Sequence, residues 1–132
     1  MIPEKPRVLI NGVEHVAIAT ADPHQLADWY IQHLNFMSLL DAGTTVYIKS
    51  PNSVILEFVK ADNLPARPQI RDAGLRHIAL AVDNLEAAHA QLSSAGVEFE
   101  AAPILLPGMR LFFFRDPEGN YLHLVQRETS LL

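Results

Sequence analysis

The chain has 132 residues, 49% of them hydrophobic, a formal charge of −5, a pI near 5.6 and no cysteine. That length supports one compact domain, or two small modules that need each other. The absence of cysteine excludes disulfides and thiolate metal ligands, and an acidic chain with scattered Lys and Arg offers no footprint for nucleic acid or an anionic membrane surface. The opening MIPEKPRVLI carries charges and prolines where a signal peptide needs an apolar run, and no stretch approaches the ~18 apolar residues of a membrane span. A soluble, cytoplasmic protein is expected.

In chain order, VEHVAIAT alternates and is rich in β-formers, so a strand is expected there. Asp22-Pro23 then supplies an N-cap and a first-turn proline. Leu26, Trp29, Tyr30 and Leu34 recur at helical spacing and give one apolar face, with Trp29 and Tyr30 as core residues. Three short strands are expected at 36–40, 44–49 and 53–59, separated by Gly43 and by Ser50-Pro51-Asn52. Residues 60–73, with Pro65 and Pro68, read as a linker. The order then repeats. A strand at 74–82 leads to Asp83 as N-cap, a helix through LEAAHAQLSSA with Leu85, Ala88 and Leu92 on one face, and Gly96 as its stop. Strands are expected near 97–100, 109–115 and 120–126, and Asp116 in DPEGN reads as a turn cap. His24, His33 and His89 read as solvated or edge residues on helices.

The repetition is explicit in the residues. GVEHVAIA at 12–19 returns as GLRHIALA at 74–81, so His15 recurs as His77 after 77 − 15 = 62 residues. PNSVILEFV from Pro51 returns as PEGNYLHLV from Pro117, an offset of 117 − 51 = 66 that sets Glu57 opposite His123. Two βαβββ modules, 8–59 and 74–127, therefore form one α+β domain over 8–127. Residues two apart on a strand share a face. Val16, Ile18, Ile78 and Leu80 should meet the helices, and His15 and His77 should share the opposite face with small alanines, which leaves room for a ligand. The 66-residue offset matches Tyr47 with Phe113 and Lys49 with Arg115. Tyr47 and Phe113 are candidate walls, with Arg110 a carboxylate anchor if its loop folds inward.

The opening-strand histidines in VEHVAIAT and LRHIALAVD, with the closing FFRDPEGNYLHLVQ, resemble the vicinal oxygen chelate superfamily over roughly Val8 to Gln126. That superfamily includes glyoxalase I, methylmalonyl-CoA epimerase, extradiol dioxygenases, fosfomycin-resistance transferases and bleomycin-binding proteins. The resemblance implies a glyoxalase-like fold, in which paired modules form an open, cup-shaped mixed sheet around one divalent metal ion per site (Zn, Ni, Fe or Mn). It also implies His15, Glu57, His77 and His123 as the ligands, and Tyr47 and Phe113 on the substrate face. The family usually has glutamate where this chain has His123, so a site summing to 2 − 2 = 0 becomes one of 2 − 1 = +1, which favours polarising a carbonyl or enediolate oxygen, or binding an anionic bidentate substrate.

A single histidine on an apolar strand is ordinarily a hydrogen-bonded core residue, whereas four donors at equivalent places in a duplicated module favour one site. The function expected is metal-dependent lyase or isomerase chemistry through an enediolate, or dioxygenation. Glu57 is the only carboxylate in the set and the candidate catalytic residue, able to serve as ligand, base or both in turn. The alternative is a non-catalytic small-molecule binder of the bleomycin-resistance type. A homodimer is expected, with modules paired within one chain or across two.

Overall fold

A computed structural model describes residues 9–100 and 102–132; Val8, the expected start of the first module, lies outside them. Strand β1 (Val16–Thr20) leads to helix α1 (Pro23–His33), followed by β2 (Met37–Asp41), β3 (Thr45–Lys49) and β4 (Ile55–Lys60). The second set is β5 (His77–Ala81), α2 (Leu85–Ser94), β6 (Ile104–Leu106), β7 (Met109–Arg115) and β8 (Tyr121–Arg127). The strands form two four-stranded sheets, ordered β1-β4-β3-β2 and β5-β8-β7-β6. In each, the first and last strands pair in parallel and the remaining pairs are antiparallel. The fold is α+β, and its two sheets have one topology.

Local chemistry accounts for the helices. The Asp22 side chain accepts from the Gln25 N–H at 3.1 Å and Pro23 occupies the first turn, satisfying amides that have no intrahelical partner. In the second module Asn84, rather than Asp83, caps the helix by accepting from the Ala87 N–H at 3.0 Å. Gly96 takes a left-handed φ of 93° just beyond α2 and stops it, as expected. The strand expected at 97–100 is not formed. Val97 instead donates its N–H to the Leu92 carbonyl and is buried against the helix end, Phe99 makes an isolated bridge to Phe114, and the third strand of this module lies at 104–106.

One core spans both modules. Tyr30, Ile48, Phe58 and Leu122 are fully buried, with Leu26, Leu56, Leu85, Phe114 and Leu124 packed among them, each such side chain contributing on the order of 1.5–3 kcal/mol. Ile18, Ile78 and Leu80 pack against that core as their strand parity predicts, and Trp29 as its helical spacing predicts, but Val16 stays 37% exposed at the open edge of its sheet. Among the described residues, no helix is long and apolar enough to cross a membrane.

A polar latch holds the modules together. The Tyr30 hydroxyl donates to Asp116 Oδ2 at 2.7 Å, and burial, with the Asp116 charge beside it, pushes that phenol far up. Asp116 also accepts from the Glu118 and Asn120 N–H groups, so it caps its turn as expected. The Glu118 carboxylate accepts from the Thr20 hydroxyl and the Ala21 N–H, and Arg67 donates to the Glu118 carbonyl. The β7–β8 turn is thereby fixed to the start of α1.

Candidate metal and substrate site

Each sheet carries a matched group of side chains on the face turned away from the helices. Ala17 pairs with Glu57 and Glu57 with Tyr47; in the second sheet Ala79 pairs with His123 and His123 with Phe113. Because 79 − 17 = 62 and 123 − 57 = 66, the strand registers reproduce both sequence offsets. His15 immediately precedes β1 and His77 opens β5, so the two histidines also occupy equivalent places.

In the first sheet, His15 Nε2 lies 3.2 Å from Glu57 Oε1, with the side chains 30% and 15% exposed. Its other ring nitrogen, Nδ1, is 3.1 Å from Glu14 Oε1. A neutral imidazole has one N–H and cannot donate to two carboxylates at once, so His15 has a carboxylate oxygen within reach of each ring nitrogen. The Tyr47 ring meets the His15 ring edge-on at 5.7 Å. The Glu57 carboxylate, within hydrogen-bonding reach of the hydroxyl, raises the Tyr47 phenol above its ordinary range.

The second sheet has no carboxylate at this place. The His77 and His123 rings lie 4.6 Å apart, and Phe113 contacts both edge-on, at 5.6 and 4.9 Å. His123 is only 7% exposed and its Nδ1 donates to the Leu124 carbonyl at 3.3 Å, which leaves Nε2 as the free acceptor. Burial, followed by the adjacent His77, pushes its pKa down, so the ring is held neutral. His77 is exposed at the sheet edge.

The donor chemistry fits a divalent ion. Two donors that share an ion at ~2.1 Å lie roughly 3–3.4 Å apart, and the His15–Glu57 separation of 3.2 Å matches. Among the described residues of one chain, however, no three His, Asp or Glu side chains are gathered within ligating range. The four sequence-derived residues stand as two pairs on two sheets. Three clefts of about 500, 400 and 510 Å³ lie elsewhere, and none of these three is lined by His15, Glu57, His77 or His123.

Several other sequence expectations change. Arg110 is no carboxylate anchor: on β7 it shares its face with Phe112 and Phe114, and it is tied to Glu86 of α2 and to Gln126. His89 is not solvated but half-buried, stacked 4.1 Å from the Phe112 ring at an angle of 6°. His24 is an exposed helix residue paired with Asp41, and His33 lies half-buried against Trp29. Two further residues lie on the site face, Tyr121 and Arg115, the latter already matched with Lys49 by the 66-residue offset but given no role. The guanidinium of Arg115 lies 4.4 Å over the Tyr121 ring; strand parity with Phe113 and His123 is the signal that finds both.

Residues 12–124 match the family model of the Glyoxalase/Bleomycin resistance protein/Dioxygenase superfamily. The chain belongs to that superfamily. Among its relatives is the uncharacterized protein YwkD of Bacillus subtilis, 30% identical over 91% of this chain and 100% of that one. A glyoxalase family protein from Enterococcus faecalis is similar in structure, with a TM-score of 0.75 at 29% identity over 89% of this chain and 99% of that one. The fold is also that of TnmS3, an antibiotic binding protein from Streptomyces, with a TM-score of 0.72 at 24% identity over 92% of this chain and 100% of that one.

Proposed function

We propose that the protein is a divalent-metal-dependent enzyme acting on a small substrate with neighbouring oxygens, and that its site is completed by a second copy of the chain. The observation that carries this reading is the pair of half-sites. His15 with Glu57 and His77 with His123 sit at matching registers on two sheets, yet no three donors meet among the described residues of one chain. Two donors are too few for a tight site, whereas a two-fold dimer joins the first half-site of one copy to the second of the other, twice. His15, Glu57, His77 and His123 would be the ligands. A bound divalent ion would supply Lewis-acid stabilisation of a developing enediolate or oxyanion.

The chain's own residues supply the rest. Glu57 is the sole carboxylate among the four and takes up the substrate proton, and the Tyr47 hydroxyl beside it orients its oxygens. Tyr47 and Phe113 wall the substrate with aromatic edges. The Leu124 carbonyl fixes the His123 tautomer so that Nε2 points to the ligand. The second reading, a non-catalytic binder, draws support from the fold shared with TnmS3.

Metal analysis separates the two. Purified protein is expected to hold about one Zn, Ni, Fe or Mn per chain, and an absence of stoichiometric metal with no thermal shift on adding these ions overturns the enzyme reading. His15→Ala and His77→Ala are each expected to abolish binding. When the two variants are unfolded together and refolded, mixed dimers should regain one site per dimer, because one of their two sites then carries both substitutions and the other neither. Failure to regain any metal overturns the shared site.

A further inference from the structure

We propose that Arg115 and Lys49 form the substrate's anion anchor, which selects ligands bearing a terminal carboxylate beyond their two chelating oxygens. This deepens the metal-dependent reading above and rests on it. Strand register carries the assignment. His77, Tyr121 and Arg115 lie side by side across β5, β8 and β7, one row from His123 and Phe113. In the first sheet Lys49 pairs with Ile55, and His15 falls beside Ile55 because Val16 pairs with Leu56. Since 115 − 49 = 66, each module places a cation in the row of its histidine, at equivalent positions.

Reach and chemistry agree. With neighbouring strands ~4.8 Å apart and alternate residues ~6.8 Å apart, the Arg115 backbone stands roughly 8 Å from that of His123. A long side chain at that distance meets the tail of a small molecule, not the oxygens chelated to the metal. The Arg115 guanidinium is stacked on buried Tyr121 and bonded to its hydroxyl, which fixes its plane while the side chain stays 48% exposed. A planar fork held this way suits bidentate recognition of a carboxylate. Its acidic neighbour, Glu100, is 3.9 Å away and half-exposed, a weak pair that an incoming carboxylate can replace. In a chain of net charge −5, the rows His15–Ile55–Lys49 and His77–Tyr121–Arg115 each carry one cation and have no carboxylate at their own register positions. Arg127, further along the same face, acts on the His123 ring through its charge but lies outside the histidine row and has no counterpart, because 127 − 66 = 61 and that position is Ala61.

Cobalt-loaded protein tests this with two chelators, acetohydroxamate and the monohydroxamate of succinic acid, which adds a terminal carboxylate. Affinities are read from the visible cobalt spectrum. The tailed probe is expected to bind about tenfold tighter to the unmodified protein. Arg115→Gln should remove most of that preference and Lys49→Gln part of it. Acetohydroxamate affinity should stay unchanged in both, and Arg115→Lys should keep a fraction of the preference. Equal affinities in the unmodified protein, or a preference that survives the double variant Lys49→Gln/Arg115→Gln, overturns the anchor while leaving the metal reading intact. A protein that gives no cobalt spectrum overturns both.

Discussion

The two half-sites occupy the same register on the same sheet topology and differ in what they can exchange with water. The first holds an imidazole between two carboxylates, open enough for proton traffic. The second holds paired imidazoles, one of them buried and tied to a backbone carbonyl, with no acid beside it. Duplication has kept the positions and changed the duties. In the proposed site the first half moves the proton and the second holds the ion. The closing turns diverge in the same way. Ser50 Oγ accepts from the Val54 N–H as Asp116 Oδ1 accepts from the Asn120 N–H, at positions 66 apart, but only Asp116 and Glu118 reach across to the other module.

The turns offer the largest contrast to break. Asp116→Ala removes the cap of its own turn and leaves the fully buried Tyr30 hydroxyl without its acceptor. A loss of about 2–4 kcal/mol is expected, roughly 1–3 for the orphaned neutral hydroxyl and the rest for the lost turn cap. Ser50→Ala, the equivalent change, deletes two neutral bonds, to the Val54 N–H and to Asn52 Oδ1, but orphans no group of the other module, and should cost about 1–2 kcal/mol. Urea unfolding of both variants measures the ratio, and equal losses would show that the latch contributes nothing beyond its turn.

A reciprocal exchange sharpens the half-site comparison. His123→Glu puts a carboxylate where a buried neutral ring now sits, and the metal-free protein should lose about 1–3 kcal/mol. Added Zn or Ni should return stability, because the substitution restores the usual ligand of the family. Glu57→His changes a half-buried position beside Tyr47, and should cost less than about 1 kcal/mol without metal. It should nonetheless abolish turnover while metal binding persists, since it removes the only carboxylate among the ligands. Retained activity in Glu57→His would dismiss Glu57 as the base.

The sequence carried the site further than it carried the connections. Two offsets, 62 and 66, predicted which residues of the two modules are equivalent, and the ladders Ala17–Glu57–Tyr47 and Ala79–His123–Phe113 place those equivalents at the same register. Strand parity is a two-fold choice, so a recurring pattern decides it. Val97 was illegible for the opposite reason: an apolar residue after a helix reads as a strand start, but here it buries against the helix end. The place of Arg110 was left to a loop when parity with Phe112 and Phe114 already put it on the helix side. That no three donors meet among the described residues of one chain had no sequence signal, because it depends on how the sheets sit and not on which residues they carry.

The smallest contrast lies on the helices. His24 and Glu86 occupy equivalent positions, 86 − 24 = 62, and each ties its helix to a strand with opposite polarity, His24 to Asp41 and Glu86 to Arg110. These are exposed pairs, screened by salt, so His24→Ala and Glu86→Ala should each move Tm by no more than about 2 °C at physiological ionic strength. The acid limb gives the sign. The Gly43 backbone N–H, then His24, holds the Asp41 carboxyl below its ordinary value. Its small contribution is therefore present above the ordinary carboxylate range and lost as pH falls through the lowered pKa. Glu86, held down chiefly by Arg110, behaves alike. Thermal melts from neutral pH into strong acid should then show both variants converging with the unmodified protein at the acid end. A gap that instead widens in acid would mean that neither carboxylate is stabilised by its partner.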